Sequence, residues 1–170
     1  PSFRGFKLDV STSQGGGAES AIKYSGKFYN TKVAAAIGYS DTSSTSTSNK
    51  GSYVGTISAL HASGLNATFS YAQRHYNTPG RKRATNIFGK IGYQLKVFGA
   101  GKTAISVSYQ RTDNLAKAKD RAKKWGVEAV QRLDGYSTEL LAAYTRMSFD
   151  RPGTTYQNIS AGWVGARVKF

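Results

Sequence analysis

The chain has 170 residues, 24 Lys and Arg against 9 Asp and Glu for a net charge of +15, and no cysteine. No apolar run approaches the ~20 residues that a spanning helix needs, which excludes transmembrane helices, and the missing thiols exclude disulfides and thiolate metal sites. The charge excess suits nucleic acid, lipid phosphate or an anion-attracting channel alike, so the distribution of residues has to choose between them.

The chain opens on "PSFRGFKLDV", without a starting Met or a hydrophobic leader, and is expected to begin after processing or partway through a longer protein. From there, half-apolar segments follow one another. "KVAAAIGYSD" alternates Val33, Ala35, Ile37 and Tyr39 with Lys32, Ala34, Ala36, Gly38 and Ser40. "LNATFSYAQRH" sets Leu65, Ala67, Phe69 and Tyr71 against Asn66, Thr68, Ser70, Ala72 and Arg74. "NIFGKIGYQLKVF" and "TAISVSYQR" repeat the pattern around Ile87, Ile91, Tyr93, Val107 and Tyr109. Period two is the signature of a strand with different surroundings on its two faces. The pattern predicts about ten strands near 3–12, 20–29, 32–41, 52–61, 65–76, 84–97, 102–112, 124–133, 136–149 and 158–170. "SYVGTISALHA" has no clean apolar face, and "ELLAAY" also reads as a helical turn.

The connections alternate in length. Short turns are expected at Asn30-Thr31, Ala62-Ser63-Gly64, Gly99-Ala100-Gly101 and Asp134-Gly135, the last with the composition of a type I′ hairpin. Between them lie the longer polar stretches "TSQGGGAE", "TSSTSTSNKG", "NTPGRKR", "DNLAKAKDRAKK" and "RPGTTYQN". An up-and-down antiparallel sheet then carries all short turns on one edge and all long loops on the other, the asymmetry of an outer-membrane β-barrel.

In a soluble sandwich the polar faces would carry large mixed charges. Here they hold small residues with widely spaced cations, while the apolar faces carry Tyr24, Tyr39, Tyr71, Tyr93, Tyr109 and Tyr144. Repeated on one parity, these tyrosines read as a membrane-interface girdle rather than as ordinary half-buried strand residues. The polar parity points Lys7, Lys23, Lys27, Lys32, Arg74, Lys90, Lys96, Arg132, Arg167 and Lys169 into the lumen against Asp9, Glu128 and Glu139. A wall of that charge raises the local anion concentration, which predicts a weak to moderate anion preference. Screening over a Debye length of ~8 Å sets the opposing reading, a solvated face without selectivity.

The last residues, "SAGWVGARVKF", keep alternating to the end, with Gly162, Val164, Ala166, Val168 and Phe170 on one side. This stretch looks like the assembly signal of outer-membrane barrels, and "YSGKFYNTKVAAAIGYSD" with "VGARVKF" resembles the C-terminal part of Gram-negative porins of the alphaproteobacterial type. The resemblance covers most of the chain and is loose in the loops. It implies an all-β, transmembrane up-and-down barrel of sixteen strands in the outer membrane, a homotrimer, with a constriction loop in the N-terminal half. It further implies lipid and lipopolysaccharide as surroundings and the barrel-assembly machinery as a partner, with Phe170 as an interface anchor. With about ten strands and no loop long enough for the constriction, residues 1–170 are expected to be one barrel region lacking N-terminal strands; a complete ten-stranded barrel is the lesser alternative.

Catalysis finds little support, since His61 and His75 have no paired carboxylate or nucleophile at a recognisable spacing and no cofactor or metal is implied; outer-membrane lipases and proteases do use barrels, which keeps an enzyme as a formal alternative. "FGAGKT" lacks the phosphate-loop spacing and reads as a hairpin. The basic stretches "PGRKR" and "DNLAKAKDRAKKW" read first as solvated loops, then as contacts to lipopolysaccharide phosphates, and last as nucleic-acid contacts, because the aromatics lie on the opposite face from most strand cations. The leading function is passive diffusion of small hydrophilic solutes. Its rivals are a non-conducting scaffold barrel that encloses or anchors a partner, and a basic β-rich binding protein in solution.

Overall fold

The computed structural model describes residues 2–14, 16–42 and 49–168. Phe170 and Lys169, expected as anchor and wall residue, lie outside the described residues. Eleven strands form one sheet in chain order: β1 (Ser2–Phe3), β2 (Phe6–Thr12), β3 (Ala18–Phe28), β4 (Thr31–Asp41), β5 (Asn49–His61), β6 (Leu65–Tyr76), β7 (Ala84–Phe98), β8 (Gly101–Asp113), β9 (Arg121–Leu133), β10 (Thr138–Asp150) and β11 (Ile159–Val168). Every neighbouring pair is antiparallel. Among the described residues β1 and β11 are the two edges.

Three local features differ from the sequence expectation. The first predicted strand is broken after Phe3, where Arg4 (φ 47°) and Gly5 (φ 87°) both take the left-handed region and Phe3 pairs with Phe6, the geometry of a two-residue hairpin. The β3–β4 turn sits one residue earlier than expected, at Tyr29-Asn30, because Phe28 pairs with Thr31 and Tyr29 takes φ 47°. At Asp134-Gly135 the two-residue hairpin is replaced by a 3-10 turn, Asp134–Tyr136, completed by Ser137 at φ 46°. There the amide of Asp134 donates to the Ala100 carbonyl (2.8 Å), which ties this turn to the β7–β8 turn beside it. "ELLAAY" is strand throughout, within β10.

The alternation of connections holds along the whole described chain. The turns Arg4-Gly5, Tyr29-Asn30, 62–64, 99–100 and 134–137 occupy one edge of the sheet, and the strand ends joined by the longer connections, those of β2 and β3, β4 and β5, β6 and β7, β8 and β9, and β10 and β11, lie at the other. Strand register is staggered between these edges. The row of opposed residues that starts at Tyr24, near a short turn, runs through Ala35, Ile57, Phe69 and Gly89 to Tyr109 and Trp125, near long loops. Such stagger is what tilted strands produce.

The two faces decide what surrounds the sheet. On one face lie Leu8, Ile22, Ile37, Ile57, Phe69, Ile91, Val107, Val127, Leu140 and Val164, all exposed, Val164 to 85%. On β6 to β10 most of the interleaved residues of the other face, such as Thr68, Ser70, Phe88, Lys90, Ser106, Ser108 and Glu139, are half-buried or buried, while the cations Arg74, Lys96, Lys102, Lys124 and Arg132 are exposed. Ala84 is the only buried apolar residue among those described. This is a soluble protein's pattern turned inside out. At roughly 25 cal/mol per Å² of apolar surface, a row of exposed Ile, Val and Phe across ten strands is unfavourable in water and favourable in hydrocarbon. The half-buried face is accordingly the concave one, where side chains of neighbouring strands converge.

Candidate functional site

The concave face carries Lys7, Lys23, Lys27, Lys32, Arg74, Lys90, Lys96, Glu128, Arg132, Glu139 and Arg167 together, as one register-linked surface. Sequence reasoning missed three charged residues of the same face. Lys102 and Glu19 fell at or beyond the expected strand ends, and Lys124, opposite Gln110, was counted with its loop. The face is not uniformly polar, since Phe88, Val130, Leu141 and Trp163 interrupt it.

Most of its carboxylates are used to neutralise neighbours. Lys90 and Glu128 form an ion pair that reaches across β8, where the hydroxyl of Ser106 also donates to Glu128 (3.4 Å). The Arg167 guanidinium donates to Glu139 (2.8 Å from Nε), which is buried against β11. Asp9 lies between Lys7 (3.1 Å) and Lys23 (2.6 Å), which face each other directly on β2 and β3. Arg132 pairs with Asp134 in the adjoining turn (3.1 Å). What stays without an ion pair among the described residues is Arg74, Lys124 and a group at the short-turn edge: Lys27, Lys32, Lys96 and Lys102. Those four lysines line a single cavity of about 320 Å³ with Gln94 and Ser63.

The long-loop edge is built differently. Arg111 (2.7 Å) and Arg121 (2.8 Å) both donate to Asp113, and Lys123 pairs with Asp150 (3.2 Å). Arg151 grips Asp120 with two hydrogen bonds (2.7 and 2.6 Å), and the amide of Lys117 gives Asp120 a third (2.9 Å). The Arg151 guanidinium holds the Asp120 carboxyl below the usual carboxylate range against the opposing effect of its 2% exposure, and Asp120 in turn raises Arg151. Arg81 stacks on Tyr76 (3.5 Å) and donates to the carbonyls of Leu115 and Ala116, joining loop 77–83 to loop 114–120. Of the basic loop residues expected to be solvated, Arg81, Arg121 and Lys123 are therefore engaged within the protein.

Tyr24, Tyr39, Tyr71, Tyr93, Tyr109 and Tyr144 all lie on the convex, apolar face. Tyr24 and Tyr93 stand toward the short turns, and Tyr39, Tyr71 and Tyr109 toward the long loops. Tyr144 sits at the middle of β10, away from the interface that a girdle residue is expected to occupy, its ring 5.5 Å from Trp125 and its hydroxyl donating to Ser160 (3.0 Å). Tyr53 and Trp125 extend the loop-side group without having been singled out in the sequence; Tyr53 stacks on Tyr39 at 4.6 Å. Gly162, Val164, Ala166 and Val168 share this face on β11. His61 is placed at a turn, bonded to Ser63 (2.8 Å), and His75 meets Gln73 (3.0 Å), at opposite ends of the sheet.

An antiparallel meander with an apolar exterior, a charged concave face, short turns on one edge and long loops on the other defines a transmembrane β-barrel wall. Residues 1–152 match the family model of the Gram-negative porin, so the chain belongs to that family of outer-membrane channel proteins. Among curated proteins no relative of the chain was matched.

Proposed function

We propose that the concave face is the wall of a water-filled channel through which small hydrophilic solutes diffuse, with a weak to moderate preference for anions. The observation that supports it is the mismatch of charge on that face. Most of its carboxylates are consumed in ion pairs, Glu19 instead accepting a hydrogen bond from Ser40 (3.0 Å), while Lys27, Lys32, Lys96, Lys102, Arg74 and Lys124 have no ion pair among the described residues. A fixed positive wall of low dielectric constant enriches anions without binding them. No catalytic step belongs to this reading.

The edges bear on the extent of the barrel. The bilayer offers no hydrogen-bond partner to the unpaired backbone groups that β1 and β11 present among the described residues, so these edges must pair, with each other or with further strands. Our reading takes the second arrangement, with residues 1–170 as one region of a wider barrel that includes additional strands and a constriction loop. The same reading makes the protein a homotrimer, inserted by the barrel-assembly machinery through the outward stripe Gly162, Val164, Ala166 and Val168, with lipopolysaccharide phosphates meeting the loop-side cations. Cross-linking in outer membranes, resolved by mass, tests the trimer: a monomer band alone would remove it.

The reversal potential of the full protein in a planar bilayer under a potassium chloride gradient tests the central claim. An anion-selective potential with ohmic conductance is expected. Cation selectivity would defeat the wall reading, and a folded, inserted protein that carries no current would defeat diffusion in favour of the scaffold.

A further inference from the structure

Two lysine pairs stand directly opposite each other on the concave face, and the sheet treats them differently. Lys7 and Lys23 are bridged by Asp9. Lys27 and Lys32, a few residues along the same β3 strand, oppose each other with no carboxylate between them, an arrangement that destabilises a strand pair. From the far side of the same cavity come Lys96 and Lys102. Four ammonium groups around about 320 Å³ thus stand without a counter-charge among the described residues.

The cavity floor is a built feature. The β5–β6 turn folds against β7, where the amide of Gln94 donates to the Gly64 carbonyl (2.9 Å) and the Asn66 side chain donates to the same oxygen (3.3 Å). Gly64 takes φ 98°, and a Cβ there would run into the Gln94 carbonyl, so the turn can sit this close only with glycine. Ser63, held by His61, presents a hydroxyl to the cavity, and Gln94 an amide side chain. A hydroxyl fixed by His61 and a carboxamide among flexible cations suit a ligand with several oxygens.

We propose that this cavity is a binding site, at the short-turn mouth of the barrel, for a solute carrying a phosphate group. One chloride can answer only one ammonium, whereas a phosphate presents three or four oxygens and up to two charges to several lysines at once. Lysine meets such a group as a point charge and needs no fixed planar geometry, in keeping with four lysines entering from four strands. The role of the site in passage rests on the channel reading above; its binding does not.

Isothermal titration of the full, detergent-folded protein with orthophosphate and, separately, glucose 6-phosphate, at constant chloride, tests the site. One-site binding is expected, weakened about tenfold or more in the Lys32→Gln/Lys102→Gln double variant and unchanged in Lys82→Gln, which lies in a long loop at the other edge. Tighter binding of the sugar phosphate assigns the cavity to phosphate esters; tighter binding of orthophosphate assigns it to the free ion. If the double variant does not fold, Lys102→Gln alone carries the comparison. No binding beyond a chloride control, or equal weakening by Lys82→Gln, overturns the site. A cation-selective reversal potential with phosphate binding intact would defeat the wall reading and leave the site standing.

Discussion

The two edges of the sheet solve the same problem, ending a strand in water, with opposite means. The short-turn edge uses backbone: five tight connections, with left-handed residues at Arg4, Gly5, Tyr29, Gly64 and Ser137, and amides that lock one turn onto its neighbour. Lys27, Lys32, Lys96 and Lys102 there have no ion pair among the described residues. The long-loop edge has backbone bonds and left-handed residues as well, but adds side chains to them: Asp113 and Asp120 each gather basic groups, and Arg81 bridges two loops. A charge needed for structure is neutralised, so the edge whose fold is held by backbone is the one whose cations stay available to a solute.

That contrast breaks most visibly at Gly64. Gly64→Ala forces a side chain into the Gln94 carbonyl at φ 98°, which should cost on the order of 1–3 kcal/mol in urea unfolding of the lipid-reconstituted protein. The same substitution at Gly80, also at positive φ but with open space around it on the long-loop edge, should cost less than half as much. Equal costs would mean that backbone docking is not what holds the short-turn edge.

On the other edge the corresponding weak point is a side chain. Asp120→Asn leaves Arg151 without its carboxylate in a nearly dehydrated position, and the loops 114–120 and 151–158 should part. Protease cleavage within 114–120 should quicken by about tenfold while strand content is kept. The pH dependence has a definite sign. Because the carboxyl of Asp120 is depressed in the folded state, its contribution is fully present above the unfolded value of about 3.9 and is lost only as pH falls through the lower folded value. Loop cleavage in an acid-stable protease assay should thus stay flat from neutrality down to the ordinary carboxylate range and rise only below it. A rise already near pH 6 would mean that another group holds the loops.

Much of this architecture was legible in the alternation of residues, and the reason is physical. A strand between oil and water has no freedom in which side chain faces which, so Ile87, Ile91 and Tyr93 on one parity with Lys90 on the other leave only one assignment of faces and exclude every one-residue slip. Turns were less legible. Asp134-Gly135 has the composition of a two-residue hairpin, yet the neighbouring Ala100 carbonyl captures the Asp134 amide and a longer turn results. The pairing of charges was illegible, because Lys90 finds Glu128 two strands away and Asp120 finds Arg151 across a loop, distances that only the register creates. The lysine cavity was half visible: Lys27, Lys32 and Lys96 share the expected parity, but Lys102 opens a strand and gave no periodic signal of its own.

The smallest effect concerns single charges on the wall, and it separates paired from unpaired cations. Lys32→Gln removes a positive charge that no carboxylate among the described residues answers, so the reversal potential should move toward cation preference. Glu128→Gln removes the partner of Lys90, adds one net positive charge, and should move the potential the other way. Lys90→Gln frees the carboxylate of Glu128 and should act in the direction of Lys32→Gln. Each shift should be modest at 0.1 M salt, where the Debye length is about 10 Å, and should grow as the salt is diluted. If Lys32→Gln moves the potential while Lys90→Gln, which changes the net charge equally, moves it less, then position governs selectivity more than total wall charge. Equal shifts from both lysines would mean that permeating ions sense only the sum, and that the ion pairs of the wall serve the sheet alone.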